Sequence, residues 1–385
     1  MTIDDPLTLA LSGERFEARY RVRADDAAAA LARARDICLE QTVEFPEALI
    51  PNDTIREQIV GAPEPPIAAG DAAWDVSIRY PVEAAGGELT QLVNVLFGNV
   101  ALQPGVRLMD VTLPGTMLEN LPGPRFGIGG LRRLLDVPDR PLLCTALKPM
   151  GLSAQALAQL AYNLALGGID LIKDDHGLAD QPFSPFAERV PRCAEAVARA
   201  NRETGRRCLY LPNVTAPAAA VLPRARAARD AGAGGLLFCP GLAGLDAMRG
   251  LASDSSLALP ILSHPALIGG LALGPDTGLS PRVLYGRLNR LAGADAAIFP
   301  HLGGRFSFSA DDCRDIATGC TDAMGGPAPI FPVPAGGMKL DRVQELCSFY
   351  GRDCMLLIGG DLHALEPGED LVQRCRRFVA LAAAA

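Results

Sequence analysis

Lysine is nearly missing from this chain: Lys148, Lys173 and Lys339 stand against thirty-three arginines. Arginine keeps its charge wherever it sits, whereas a desolvated lysine can lose its proton and act as base, nucleophile or carbamate, so each surviving lysine calls for a chemical reason. Any apolar run near the roughly 20 residues of a membrane span is absent too. The ten cysteines include no C-x-x-C pair, which excludes the usual zinc and disulfide frameworks and leaves reduced core thiols. No basic stripe accompanies the net charge of −8, so neither nucleic acid nor a membrane surface is an expected partner. The opening MTIDDPLTLALSGERFEARY has acids where a secretory leader is positive, and a cytoplasmic location is expected.

A chain of 385 residues fits two domains, and its texture changes part-way. The first part mixes strand-like Phe16 to Val22, an Ala/Arg helical run from Ala27 to Leu39, and a strand-like pair over 73–80 and 90–97. Together these predict an α+β domain over residues 1–122. A Pro- and Gly-rich stretch, LPGTMLENLPGPRFGIGG, reads as linker and barrel entrance.

From residue 140 onward eight short apolar runs alternate with helical stretches: 142–147, 169–172, 208–214, 235–239, 257–263, 296–299, 330–334 and 355–358. Continuous apolar strands joined by helices indicate a parallel sheet buried on both faces. The fold class is therefore α/β, with a C-terminal (β/α)8 TIM barrel over 123–385. An open doubly wound sheet competes poorly, since CTALKPMGLS after the first run is no G-x-G-x-x-G.

Barrel chemistry sits at the C-terminal ends of the strands. There the chain places Lys148, then Lys173, Asp174, Asp175 and His176, then Asn213, His264 and His301. His363 lies farther out. The KDDH run predicts a divalent metal site, with Asp175 as one carboxylate and Lys173, once neutral, taking up carbon dioxide as an anionic carbamate. His176 suits a softer ion than magnesium. Gly336 and Gly337 after the seventh run, and Gly359 and Gly360 after the eighth, carry a phosphate signal, because glycine lets backbone N–H groups approach an anion.

These residues also carry a family likeness. GGIDLIKDDHGLADQPFSPFAERV resembles the signature of the RuBisCO large chain, and TALKPMGLS, the ETG at 203–205, the NVTA at 213–216 and the FGNV at 97–100 resemble further parts of it. The resemblance implies a homodimer whose active sites lie between one subunit's barrel and its partner's N-terminal domain. Carried over, it makes Lys173, as a carbamate, and Asp175 the ligands of Mg2+, with His176 in the third ligand's place. It makes Lys148 the acid/base lysine, Asn99 and Glu40 the partner's contributions, and His264 and His301 lining residues opposite the glycine phosphate site.

The departures from the family pattern point away from carbon dioxide fixation. The loop PHLGGRFSFS after the sixth run has Arg305 but no lysine, Pro265 replaces an arginine, Met150 a lysine, and Ala335 a serine. The chain thus resembles a RuBisCO-like protein acting on a substrate with one phosphate, with Arg305 and Asn213 also lining it. Decarboxylation of a 3-oxo sugar acid, of the 3-oxo-isoapionate-4-phosphate type, is the leading expectation. A 5-methylthioribulose-1-phosphate isomerase or 2,3-diketo-5-methylthiopentyl-1-phosphate enolase is the runner-up, and a non-catalytic sugar-phosphate binder is the alternative of another class.

Overall fold

A computed structural model describes residues 11–306 and 308–384. The first half of the N-terminal stretch on which the cytoplasmic expectation rests therefore lies outside the described residues. Among the described residues no helix is long and apolar enough to cross a membrane. The chain forms two compact units, one running to Pro122 and including Ile268–Arg287 and Ala323–Pro327, the other containing the rest. Those two later segments were expected to belong with the barrel.

In the first unit Arg15–Arg23 pairs antiparallel with both Ala73–Pro81 and Val106–Thr112. Its strict alternation explains why it is a strand: Phe16, Ala18, Tyr20 and Val22 are buried while Arg19 and Arg23 face outward. Helix Ala27–Thr42 starts at Asp26, whose carboxylate accepts the Ala29 N–H. Residues 89–97 correct an expectation: they form a helix, not a strand. Val93 and Val95 suggested a strand, but the buried positions Leu89, Leu92, Val95 and Leu96 recur at three- and four-residue spacing.

The second unit is the expected barrel. Its strands are Leu142–Leu147, Leu171–Asp174, Leu209–Leu211, Leu236–Phe238, Ile261–Ser263, Ala296–Pro300, Phe331–Ala335 and Met355–Leu357. They make two four-stranded parallel sheets. The sheets join through an Asn213–Leu237 bridge, and the seventh strand lies against the eighth. The eighth pairs with the first, closing the ring. Leu142, Leu171, Leu211, Leu237, Leu262, Ile298, Val333 and Met355 fill the interior. Part of the presumed linker is helical: Gly127–Leu135 adds Ile128, Leu131 and Leu135 to this core.

Candidate active site

The second barrel strand runs two residues further than its apolar stretch suggested, so Lys173 and Asp174 belong to the strand and only Asp175 and His176 follow it. This separates two adjacent carboxylates. Asp174, fully buried, is held by Arg189 Nε at 3.2 Å, the Tyr210 hydroxyl at 2.7 Å and the Asn213 backbone N–H at 3.1 Å. Arg189 also donates to the carbonyls of Ser184 and Ala179, so this buried ion pair spends its hydrogen bonds on structure.

Asp175 faces other side chains. Its Oδ1 lies 3.1 Å from Lys148 Nζ and 3.2 Å from His176 Nδ1. Burial opposes its charge, but the hydrogen bond from His176 and the nearby Lys173 and Lys148 outweigh that and hold its carboxyl well below the usual range. Lys173 is 3% exposed, and its Nζ donates to the Asp174 carbonyl at 3.1 Å. Burial pushes its amine down from the ordinary lysine value, favouring the neutral form that a carbamate requires.

His264, after the fifth strand, stacks on His176 with ring centroids 4.2 Å apart and planes 14° from parallel. Its Nδ1 accepts the Ala266 N–H, which puts the ring proton on Nε2. Burial, then Lys173 and His176, push its pKa down to about 2, so at neutral pH it is a hydrogen-bond donor with little capacity as a base. Lys148, Lys173, Asp175, His176 and His264 thus come together at the ends of strands one, two and five.

The remaining candidates take different places. Asn213 was expected to line the substrate, but its amide donates to the carbonyls of His176 and Leu178 and so shapes the KDDH turn. His301 is buried beside the seventh strand, its backbone N–H on the Ala335 carbonyl. Arg305 is exposed, and its backbone N–H donates to Gly336 at 3.0 Å. Gly336 and Gly337 have φ of 96° and 93°, which demands glycine, whereas Gly359 and Gly360 have open space where a Cβ would stand. Asp361 joins the two glycine loops by accepting the Leu340 N–H, and Arg374 backs it at 3.6 Å. His363 is exposed. In the first unit Asn99 donates to Glu40 at 2.9 Å. Neighbouring Gln41 fixes that meeting by bonding the Asn94 and Val95 carbonyls and the Val100 N–H.

Among the described residues no group of three or more His, Cys, Asp and Glu stands ready for a metal ion. Lys173, Asp175 and His176 offer an amine, a carboxylate and an imidazole. A divalent cation fits this set once Lys173 is carbamylated, because anionic oxygens then come from two positions on either side of Asp174. Sequence reading passed over Arg189 and Tyr210, of which only Arg189 lies in a quoted motif.

The family model described as the ribulose bisphosphate carboxylase large chain, catalytic domain, matches residues 127–369. The chain belongs to that family. A "Ribulose bisphosphate carboxylase-like protein 1" of Rhodopseudomonas palustris is 43% identical over 95% of this chain and 97% of its own. A "5-methylthioribulose-1-phosphate isomerase" of Rhodospirillum rubrum is 40% identical over 97% of both chains. The crystal structure of a RuBisCO-like protein from Rhodopseudomonas palustris superposes with a TM-score of 0.85 at 39% identity, covering 96% of this chain and 97% of that one. The RuBisCO family resemblance seen in KDDH and TALKPMGLS therefore holds along the whole chain.

Proposed function

We propose that this RuBisCO-like chain forms an enediolate from a monophosphorylated keto sugar and isomerises it by moving a proton between adjacent carbons. The observation that carries this is the grouping of Lys148 Nζ at 3.1 Å from Asp175, the buried Lys173 amine and the neutral His264 at one barrel mouth. In this reading Lys148 carries the proton, His264 donates its Nε2–H to the developing oxyanion, and the glycine loops hold the phosphate. A divalent ion on Asp175 and the Lys173 carbamate, Mg2+ or a softer metal because of His176, would supply charge neutralisation at the enediolate oxygens. Asn99 and Glu40, already bonded to each other, serve the partner subunit's barrel in a homodimer.

Isomerisation is preferred over decarboxylation because loss of carbon dioxide needs an electron sink but no base, and Lys148 supplies this mouth with an amine that can carry a proton. The full-length likeness to a protein named as an isomerase supports the same choice. Decarboxylation of a 3-oxo sugar acid uses the same enediolate and stands second, supported by the loop after the sixth strand, which lacks a lysine for a carboxylated intermediate.

The test is incubation in D2O with 5-methylthioribulose 1-phosphate, magnesium and bicarbonate, followed by NMR. Deuterium should enter the carbon beside the carbonyl, phosphate should stay attached, and Lys148→Ala should lose about 10²-fold or more of the rate. Carbon dioxide release from 3-oxo-isoapionate 4-phosphate without exchange in the pentulose would move the assignment to decarboxylase. Full turnover by Lys148→Ala would overturn both readings, and binding without chemistry would leave a sugar-phosphate-binding protein.

A further inference from the structure

Tyr350, the last residue of helix Val343–Tyr350, has no place in the site described so far. Its hydroxyl lies 3.1 Å from Nδ1 of His301, the residue that follows the sixth barrel strand. The phenol is held by Phe299 and Phe349, each edge-on to it at centroid distances of 6.1 and 4.6 Å. His301 is 2% exposed, and its Nε2 is buried with no hydrogen-bond partner among the described residues. Leaving a buried polar atom unpaired is costly, so this nitrogen calls for a ligand.

The hydrogen-bond directions follow from the neighbours. Burial pushes the Tyr350 phenol up and the His301 imidazole down to about 4, with Arg342 adding to the latter, so both are neutral at pH 7. The phenol therefore has one proton to give. Cys313 and Cys354, its other polar neighbours, direct their thiols to the Pro300 and Gly351 carbonyls, and sulfur is a weak acceptor beside an imidazole nitrogen. His301 Nδ1 is the better acceptor for that proton. A neutral ring that accepts at Nδ1 carries its own hydrogen at Nε2.

We propose that Tyr350 is a positioning residue: it locks His301 in the Nε2–H form, so that this buried nitrogen donates to an anionic oxygen of the bound substrate. His301 stands beside the glycine end of the seventh strand, not opposite it as expected: its backbone N–H pairs with the Ala335 carbonyl and its own carbonyl accepts the Gly304 N–H. The role of His301 toward a phosphorylated substrate rests on the function proposed above; its tautomer does not.

The experiment is NMR of the full chain labelled with ¹⁵N-histidine, in which four residues give signals and His301→Asn assigns one of them. The wild type should show a protonated-type Nε2 and an unprotonated Nδ1 for His301, and inorganic phosphate should shift that Nε2 signal. Tyr350→Phe should give a mixture of tautomers and weaken the phosphate response about fivefold to tenfold. A His301 that carries its proton on Nδ1 in the wild type overturns the proposal, and this holds even if Tyr350→Phe fails to fold. An unchanged tautomer in a folded Tyr350→Phe overturns the positioning role. No phosphate shift, with the Nε2–H form present, overturns the ligand half and leaves the function proposal to its own test.

Discussion

The two ends of the barrel strands satisfy their buried charges in opposite ways. At the N-terminal ends, Asp170 is gripped by both nitrogens of Arg140 and by the Leu143 N–H, and Asp295 accepts the N–H groups of Phe126, Gly127 and Ile261. Backbone groups cannot leave or change charge, so these carboxylates are fastened for good. At the C-terminal ends Asp175 is held by Lys148 and His176, side chains that are 39% and 45% exposed and free to exchange partners. His301 there keeps a buried nitrogen without a hydrogen-bond partner among the described residues. The lesson is that a carboxylate held by backbone or by arginine, as at Asp295, Asp170 and Asp174, marks structure, while one held by part-exposed lysine and histidine marks chemistry.

Lys173→Met should break the comparison most visibly. It removes the amine from a site that is already desolvated, so the rate of solvent exchange into the substrate should fall about 10³-fold. Urea unfolding should show stability equal to or above the wild type, because a buried amine is gone. A variant that kept its exchange rate would detach Lys173 from the chemistry.

Asp295→Asn should do the reverse. The amide turns an N–H group toward the Ile261 N–H, and the lost acceptor should cost about 1–3 kcal/mol in urea unfolding while kcat stays within about twofold. The pH dependence has a definite sign. Burial raises the Asp295 carboxyl to about 6 against the three backbone bonds that favour its charge, above the free value of about 3.9. Its contribution is therefore complete below pH about 4 and is lost as pH rises through about 6. The wild type should lose stability relative to Asp295→Asn across that window. Parallel curves would show that the bonds from backbone fully offset burial.

The barrel was legible because its strands are buried on both faces and read as apolar runs with helices between them. Leu89–Phe97 was misread because two valines outweighed a helical burial period in so short a segment. The site was legible at Lys148, Lys173, Asp175 and His264, since strand ends point to the mouth and lysine is scarce. What escaped was support: Asp174 looks like Asp175 in sequence, and only the burial of Arg189 and Tyr210 around it tells them apart. Tyr350 escaped because it lies at the end of a helix, one strand beyond the histidine it touches.

His176→Glu sharpens the comparison at the mouth itself. A carboxylate in place of the imidazole adds a hard oxygen beside Asp175 and should tighten magnesium about tenfold in the presence of bicarbonate, measured by calorimetry. The stack on His264 is lost in the same step. Unchanged magnesium affinity together with a loss of zinc or cobalt binding would identify the present set as one for a softer ion.

The smallest expected effect separates the two glycine pairs. Gly336 and Gly337 require glycine for conformation alone, at φ of 96° and 93°, and a Cβ on Gly304 would overlap the Gly336 carbonyl, so alanine at any of the three disturbs the protein before a ligand is present. Gly359 and Gly360 meet no neighbour within 4 Å and have no positive φ, so the fold itself gives little reason for glycine there. If an anion is that reason, Gly359→Ala should leave the urea midpoint unchanged and weaken binding of inorganic phosphate by about threefold to tenfold, the value of one modest hydrogen bond. Equal affinity in wild type and Gly359→Ala would confine the phosphate to the seventh-strand loop, where the Arg305 backbone already occupies the Gly336 carbonyl.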